Sequence, residues 1–381
     1  MKECVIAAAR RSPSGKIPGE LSQIGEIDLL SQVFRAVAAD RPVEEALTGC
    51  SFPIERDNLC RKAVLAAELP PDIHAATISK TCASSDEALR IGYERILLGS
   101  SRSILVGGIE KISNSPHVLQ VMKQNVKRQL HTKTLSRKEA FDQLQENDMA
   151  YLAEQAAYQN HISRRQQDDF TLYSIQKALR ADRKGYFREE IAEIQTGAEG
   201  VCLSQDELLQ WERTEDEIRC APPMFLRDGS LTQYNAAAVC DCAVGMLLVE
   251  KQTALAQGMV PLSTIRSVVT VGTDRLGTCM QQCIDKLLRI NGLSRRDVAL
   301  YEVNESFAAQ AIWVIRECGL EPERVNVNGG NLALGYPIGA TGLRMLTTLA
   351  HEMKRRAVRF GVSVMCAGGA MAQAVLLENT W

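Results

Sequence analysis

Charge of one sign, long apolar runs, paired cysteine motifs and phosphate-cradling loops are all missing from this chain. Its 381 residues carry 44 Lys and Arg against 46 Asp and Glu, a net charge of −2. So even a balance gives no electrostatic footprint for nucleic acid or a membrane surface. No apolar stretch approaches the roughly 18 residues that cross a bilayer. The N-terminus, Met1-Lys2-Glu3-Cys4-Val5-Ile6, enters strand-like sequence at once, without the charged and apolar zones of a signal peptide. A soluble cytoplasmic protein is expected. No glycine pattern of the P-loop or dinucleotide type occurs. The twelve cysteines are dispersed, and Cys240-Asp241-Cys242 has one intervening residue where a zinc-binding pair has two. Most are expected to be buried, reduced packing residues. Histidine is scarce: His74, His117, His131, His161 and His351 are the five.

What is present is length and alternation. A chain this long holds two or three domain-sized units. Short apolar runs alternate with helical patterns, which argues a layered α/β fold. Strands are predicted at Glu3–Ala8, Ala75–Ser79, Ser103–Val106, Ala299–Val303, Arg324–Asn326 and Val362–Met365. Helices are predicted at Asp28–Ala39, Asn58–Ala67, Ser84–Leu98, Met149–Asn160, Arg164–Asp182 and Gly342–Arg355. In Ser84–Leu98, Ala88, Leu89, Ile91, Ile96 and Leu97 recur at helical spacing. The pattern divides into an N-terminal α/β half (1–115), a charged helical insertion (116–245) and a C-terminal half (246–381). Ser103-Ile104-Leu105-Val106-Gly107-Gly108 and Ser363-Val364-Met365-Cys366-Ala367-Gly368-Gly369 echo one another as strands leading into a double glycine. Taken alone, that echo leaves duplication and coincidence equally open.

Two loops carry the chemistry. Ser79-Lys80-Thr81-Cys82-Ala83-Ser84-Ser85 places a cysteine where a strand turns into a helix. The free N–H groups and partial positive charge of a helix N-terminus favour a thiolate, the nucleophilic form of a cysteine. A buried strand-end cysteine is the bland alternative. Asp86 and Glu87 oppose a thiolate unless they point to solvent. The second loop, Asn328-Gly329-Gly330-Asn331-Leu332-Ala333-Leu334-Gly335-Tyr336-Pro337-Ile338-Gly339-Ala340, is a glycine-rich turn that delivers a side chain to a fixed position. Asn304 can hold a water or a polar group with its amide, or simply open a helix as an Asx turn. Cys366 closes a strand-like run just before Gly368-Gly369, and by itself reads as a buried strand-end residue.

Together these segments resemble the active-site loops of the thiolase family. The likeness extends from Val5-Ile6-Ala7-Ala8-Ala9-Arg10-Arg11-Ser12-Pro13 through Ile162-Ser163-Arg164-Arg165-Gln166-Gln167-Asp168, Gln176-Lys177-Ala178-Leu179, Asp228-Gly229-Ser230-Leu231-Thr232, Asn235-Ala236-Ala237 and Asn304-Glu305-Ser306-Phe307-Ala308 to the last strand. The resemblance implies two similar βαβαββ halves stacked as α-β-α-β-α layers, assembled as a homodimer or homotetramer. It implies an acyltransferase in which Cys82 takes the acyl group from an acyl-CoA, Asn304 supports an oxyanion hole and Cys366 moves a proton at the acetyl methyl group. Coenzyme A enters as substrate thioester, so no cofactor is expected.

Departures from the family pattern surround the acyl pocket. Tyr336 stands where the family carries histidine; a phenol titrates near 10, imidazole near 6.5, so the phenol donates a hydrogen bond but accepts a proton poorly. None of the five histidines falls at another motif position. Ser85 replaces a glycine, adding bulk where backbone and ligand would approach, and Ala370 replaces another. Asp148, before Met149, stands where many relatives have a histidine near the substrate. Ala237 and Ala238 replace a Ser-Gly that faces the pantetheine chain. Lys123, Lys127, Arg128, His131, Lys133, Arg137 and Lys138 form a basic stretch, read either as a solvated face or as a site for CoA phosphates or an acidic acyl carrier protein. Without interleaved aromatics it is no nucleic-acid signature. The resulting expectation is a specialised thiolase-like enzyme working through a Cys82 acyl-enzyme in Claisen condensation or thiolysis. The rival expectation is a catalytically silent acyl-CoA-binding or scaffolding partner of an active homologue.

Overall fold

The computed structural model describes residues 2–55, 57–114, 149–197, 201–273 and 276–379. The first half runs β1 (Cys4–Arg11), α1 (Glu26–Ala38), β2 (Glu45–Gly49), α2 (Leu59–Ala66), β3 (His74–Ile78), α3 (Ser84–Leu98) and β4 (Ser103–Glu110). After it come α4 (Met149–Gln159), α5 (Arg164–Arg183), a small hairpin of β5 (Ile194–Thr196) and β6 (Val201–Leu203), and then β7 (Cys242–Glu250). The second half runs β8 (Ser263–Gly272), α6 (Leu276–Ile290), β9 (Leu300–Val303), α7 (Ala308–Glu317), α8 (Thr341–Arg356), β10 (Phe360–Ala367) and β11 (Met371–Glu378).

Nine of these strands hydrogen-bond in the order β3-β2-β4-β7-β1-β8-β11-β10-β9. The two halves meet where β1 and β8 pair over three residues, Cys4–Ile6. On either side of that seam the pattern repeats. In the first half β2 lies parallel to β3 and β4, and β7 runs antiparallel to β4 and β1. In the second, β9 lies parallel to β10, and β11 runs antiparallel to β10 and β8. Val325 completes the match with a parallel bridge to Tyr301 of β9, in the place β3 takes beside β2. Topology therefore supplies the duplication that the sequence echo left open. The echoed glycines nevertheless differ in role. Gly108 lies inside β4, where a Cβ would meet that of Ser85 at 2.8 Å, whereas Gly369 turns the chain after β10 with φ at +79°.

Burial sorts the elements into five layers. Helices α1 and α2 cover one face of the first sheet through Leu29, Val33, Phe34, Leu59 and Val64. Helices α6 and α7 cover the far face of the second through Met280, Ile284, Leu287, Ile312 and Val314. Between the sheets, α3 and α8 share a core of Ala88, Leu89, Ile96, Leu343, Leu346 and Leu349 with strands of both halves. Helix α8 is buried on most of its surface, as a central-layer helix must be.

Two expectations change here. Arg324–Asn326 is not a strand: Pro322 starts a 3₁₀ turn through Arg324, and only Val325 makes a bridge. The boundary expected between 245 and 246 falls inside β7, whose hydrogen bonds to β1 and β4 set it among the first-half strands. Nine cysteines are buried, Cys82 is partly exposed, and Cys202 and Cys220 are exposed; all twelve are free thiols. No described helix is long and apolar enough to cross a membrane.

Candidate active site

Cys82 sits in the turn between β3 and α3. Thr81 takes a left-handed φ of +48°, an unfavourable conformation for a β-branched residue, and the neighbouring side chains hold it there. Ser84 Oγ donates to the Thr81 carbonyl and accepts from the Lys80 amide at 2.8 Å, and Ser51 Oγ donates to the same carbonyl at 2.6 Å. The thiol is thereby presented at the first turn of a fifteen-residue helix.

Cys82 and Tyr336 both line a cavity of roughly 520 Å³, together with Met149, Ala237, Ala238 and Ser306. Trp211, Phe225 and Phe307 add aromatic rings to its lining. Tyr336 is locked from both sides of its own backbone: its amide donates to the Ala238 carbonyl at 2.8 Å, and its carbonyl accepts from Cys240. Gly335, with φ at +89°, makes the turn that permits this. Further along, the Gly339 amide donates to the buried carboxylate of Glu110 at 2.7 Å, which ties the loop to the end of β4.

Electrostatics at the sulfur follow from burial. Burial pushes the Cys82 thiol up, while hydrogen bonds from the Tyr336 hydroxyl and the Gly368 amide pull it down. The Tyr336 phenol lies well above its ordinary value, first from burial and then from the neighbouring thiols Cys82 and Cys366. It is a donor at every physiological pH. Cys366 is fully buried and pushed up to about 11, chiefly by desolvation and then by Cys82. Donors from Asn304, Gln310 and Ser306 oppose that rise. Asn304 Nδ2 reaches the Cys366 sulfur at 3.1 Å and Ser306 Oγ at 2.8 Å; Gln310 Nε2 reaches the same sulfur at 3.3 Å.

Cys82, Tyr336, Met149 and Ala237 thus share one cavity wall, while Asn304 and Cys366 stand behind it, reached through Ser306. Lys127, Arg128 and the rest of the basic stretch lie outside the described residues, as does Asp148. Asp86 does not point to solvent. It is 4% exposed, packs against Gly342 in the first turn of α8 and is raised to about 7 by burial. Glu87 is held down at about 2 by Arg90 and Lys80 and offers little free charge to a thiolate. Ser85 is fully buried and does not line that cavity; its Oγ accepts the Leu343 amide of α8.

Sequence reasoning missed Gln310, Asn331 and Arg344. Asn331 Nδ2 donates to Asn304 Oδ1, and Arg344 Nη2 donates to Asn331 Oδ1 at 2.6 Å, so three buried polar residues run back from the Cys366 sulfur. The one signal was a second asparagine, Asn331, set between the double glycine and Leu332-Ala333-Leu334. Among the described residues no group of side chains could hold a metal ion.

The likeness to known proteins extends along nearly the whole chain. The family model described as thiolase, N-terminal domain, matches residues 4–252, and that for thiolase, C-terminal domain, matches 259–379. A 3-ketoacyl-CoA thiolase of Bacillus subtilis is 33% identical, the match covering 99% of this chain and all of the relative. An acetyl-CoA acetyltransferase of Rhizobium meliloti is 34% identical over 98% of each. Among solved structures, human mitochondrial 3-ketoacyl-CoA thiolase superposes with a TM-score of 0.93 at 28% identity, covering 100% of this chain and 99% of that one. An acetyl-CoA acetyltransferase of Bacillus anthracis gives 0.92 at 32% identity, with 99% of each covered. The human enzyme in complex with CoA gives 0.91 at 28% identity, covering 100% of this chain and 98% of that one.

Proposed function

The chain belongs to the thiolase family of acyltransferases, and from that membership we propose that it transfers acyl groups between CoA thioesters through a Cys82 acyl-enzyme. The Cys82 sulfur attacks the thioester carbonyl, the carbon–sulfur bond to CoA breaks, and CoA leaves as its thiol. Tyr336 and the Gly368 amide stabilise the sulfur as it sheds its proton. In the condensing direction Cys366 removes an α-proton from a second, acetyl, thioester. The resulting carbanion attacks the acyl-Cys82 carbonyl and releases the Cys82 sulfur. Thiolysis runs the same bonds in reverse. The fold neighbour solved with CoA supports CoA as the carrier thiol, with Met149 and Ala237 beside the pantetheine chain and Lys127 and Arg128 offered to its phosphates. Assembly as a homodimer or a dimer of dimers belongs to the same reading and is measured by sedimentation.

The observation that carries the proposal is the meeting of Cys82 and Tyr336 at one cavity. Intact mass spectrometry after mixing with acetyl-CoA is the test. The expected product is a 1:1 acetyl adduct that disappears in Cys82→Ala. CoA binding without any adduct would instead identify a silent acyl-CoA-binding subunit.

A further inference from the structure

We propose that Arg344 and Asn331 are positioning residues that fix the Asn304 amide with its nitrogen, not its oxygen, toward the Cys366 sulfur. The inference rests on the reading of Cys366 as the group that removes the α-proton. Arginine has only donors, so the Asn331 atom it meets at 2.6 Å is Oδ1. Asn331 must then turn Nδ2 toward Asn304, and the atom it meets there is Oδ1. That leaves Asn304 Nδ2 for the Cys366 sulfur and Ser306 Oγ. The polarity of two amides, each nearly symmetric in shape, is dictated by one cation at the end of the row.

All members are out of water: Arg344 and Asn304 are fully buried and Asn331 is 1% exposed. Reversing any amide would set like against like, with no solvent to absorb the mismatch. Among the described residues, Nε and Nη1 of Arg344 have no hydrogen-bond partner, so its directional contact is the one to Asn331. Near it lies the buried carboxyl of Glu302 on β9, which desolvation pushes well above the ordinary carboxylate range while Arg344 pulls it back, and whose Oε2 has no hydrogen-bond partner. Gln310 makes the contrast. Its Nε2 also donates to Cys366, but its Oε1 is unpartnered and nothing determines which end faces the sulfur.

The consequence concerns the second half-reaction. A thiolate at Cys366 is favoured by a donor and opposed by a carbonyl oxygen. The other titratable groups around it are Cys82 at the β3–α3 turn, which disfavours its charge, and Tyr336 and Cys279 on α6, both of which Cys366 itself pushes up. With no cation among them, the Asn304 donor acquires its weight.

Two variants separate this role from a packing role. Asn331→Ala removes the relay. Asn331→Asp keeps its shape and its acceptor for Arg344 but has no donor for Asn304, so the Asn304 amide reverses and turns its oxygen on Cys366. The readouts are the rate of Cys82 acetylation by mass and the exchange of acetyl-CoA methyl protons into D₂O between pH 6 and 10. At pH 8, exchange is expected to fall about tenfold in Asn331→Ala, the worth of one hydrogen bond to a charged group, and about a hundredfold in Asn331→Asp, where a repulsive oxygen is added. Its rising limb shifts to higher pH while acetylation falls by less than about threefold.

A packing role gives the reverse order, since Asp retains the Arg344 contact. Exchange in Asn331→Asp equal to or faster than in Asn331→Ala overturns the inference, as does a parallel loss of acetylation. Should Asn331→Ala not fold, wild-type exchange in Asn331→Asp alone overturns it. If the wild type acetylates Cys82 yet exchanges no methyl protons, Cys366 is not the base and the inference falls with that assignment. If it never acetylates, the acyl-enzyme proposal itself has failed.

Discussion

A phenol at position 336 changes which proton transfers the pocket can perform. Pushed far above neutrality by burial beside two thiols, Tyr336 gives a hydrogen bond and takes no proton. Cys82, itself raised by burial, therefore ionises without a base. Acetylation of Cys82 is expected to rise continuously with pH through 9, where a cysteine near its ordinary value would level off. Tyr336→Phe removes the donor and should slow acetylation about tenfold, whereas Tyr336→His supplies a base and should accelerate it at pH 7 by about 10². Pre-steady-state acetylation followed by mass reads both; a histidine variant no faster than the wild type refutes this account of position 336. Much of this site was legible because Cys82, Asn304, Tyr336 and Cys366 lie in short motifs whose chemistry is local. Gln310 and Arg344 were not legible: each is a polar residue in a helix, a pattern that ordinarily reads as a solvated face, and only burial shows otherwise.

Helices α3 and α8 meet at their N-termini, and the residues there answer to each other more than to the substrate. Ser85 caps the Leu343 amide, and Asp86 lies against Gly342 with Oδ2 unpartnered. In the folded chain Asp86 titrates near 7, above the 3.8 of a free aspartate. Between those values the unfolded chain has released a proton that the folded chain keeps, so stability falls as pH rises through this window. Asp86→Asn lacks the penalty. It should be more stable than the wild type by ~2–4 kcal/mol at pH 8, with the gain vanishing toward pH 4; thermal melts at the two pH values decide. Gly49, at the end of β2, sits under the same turn, where a Cβ would lie 2.2 Å from the Ser84 carbonyl carbon. Backbone cannot rotate away, so Gly49→Ala should destabilise by about 3 kcal/mol and slow Cys82 acetylation. Unchanged melting would show that the turn is looser than its hydrogen bonds indicate. Helix α3 matched its predicted bounds because apolar spacing and the Gly99 stop agree, while β7, Cys-Ala-Val-Gly-Met-Leu-Leu-Val-Glu, passed unrecognised. A continuous apolar run has no periodicity to read, and this strand is covered on both faces.

The first half and the segment between the halves are held together by buried charge as well as by apolar layers. Arg11, fully buried on β1, bonds Glu190 at 2.7 Å and Asp206 at 2.6 Å, both from the stretch between β4 and β7. Removing the cation leaves two carboxylates in the interior, so Arg11→Ala should cost ~3–5 kcal/mol in urea unfolding; a loss below 1 kcal/mol would contradict the clamp. What the sequence determined by itself was local: a cysteine at a helix start, a phenol in a glycine turn, a second thiol before a tight turn, and alternation enough for an α/β fold. Those follow from short-range backbone geometry and side-chain chemistry, which need no distant partner. Only the tertiary structure decided that the sheets repeat across the β1–β8 seam, that Asp86 is inside, and that Arg344 reaches Cys366 through two amides. Each depends on which residues lose water together, a property of packing between segments as much as some 290 residues apart in the chain.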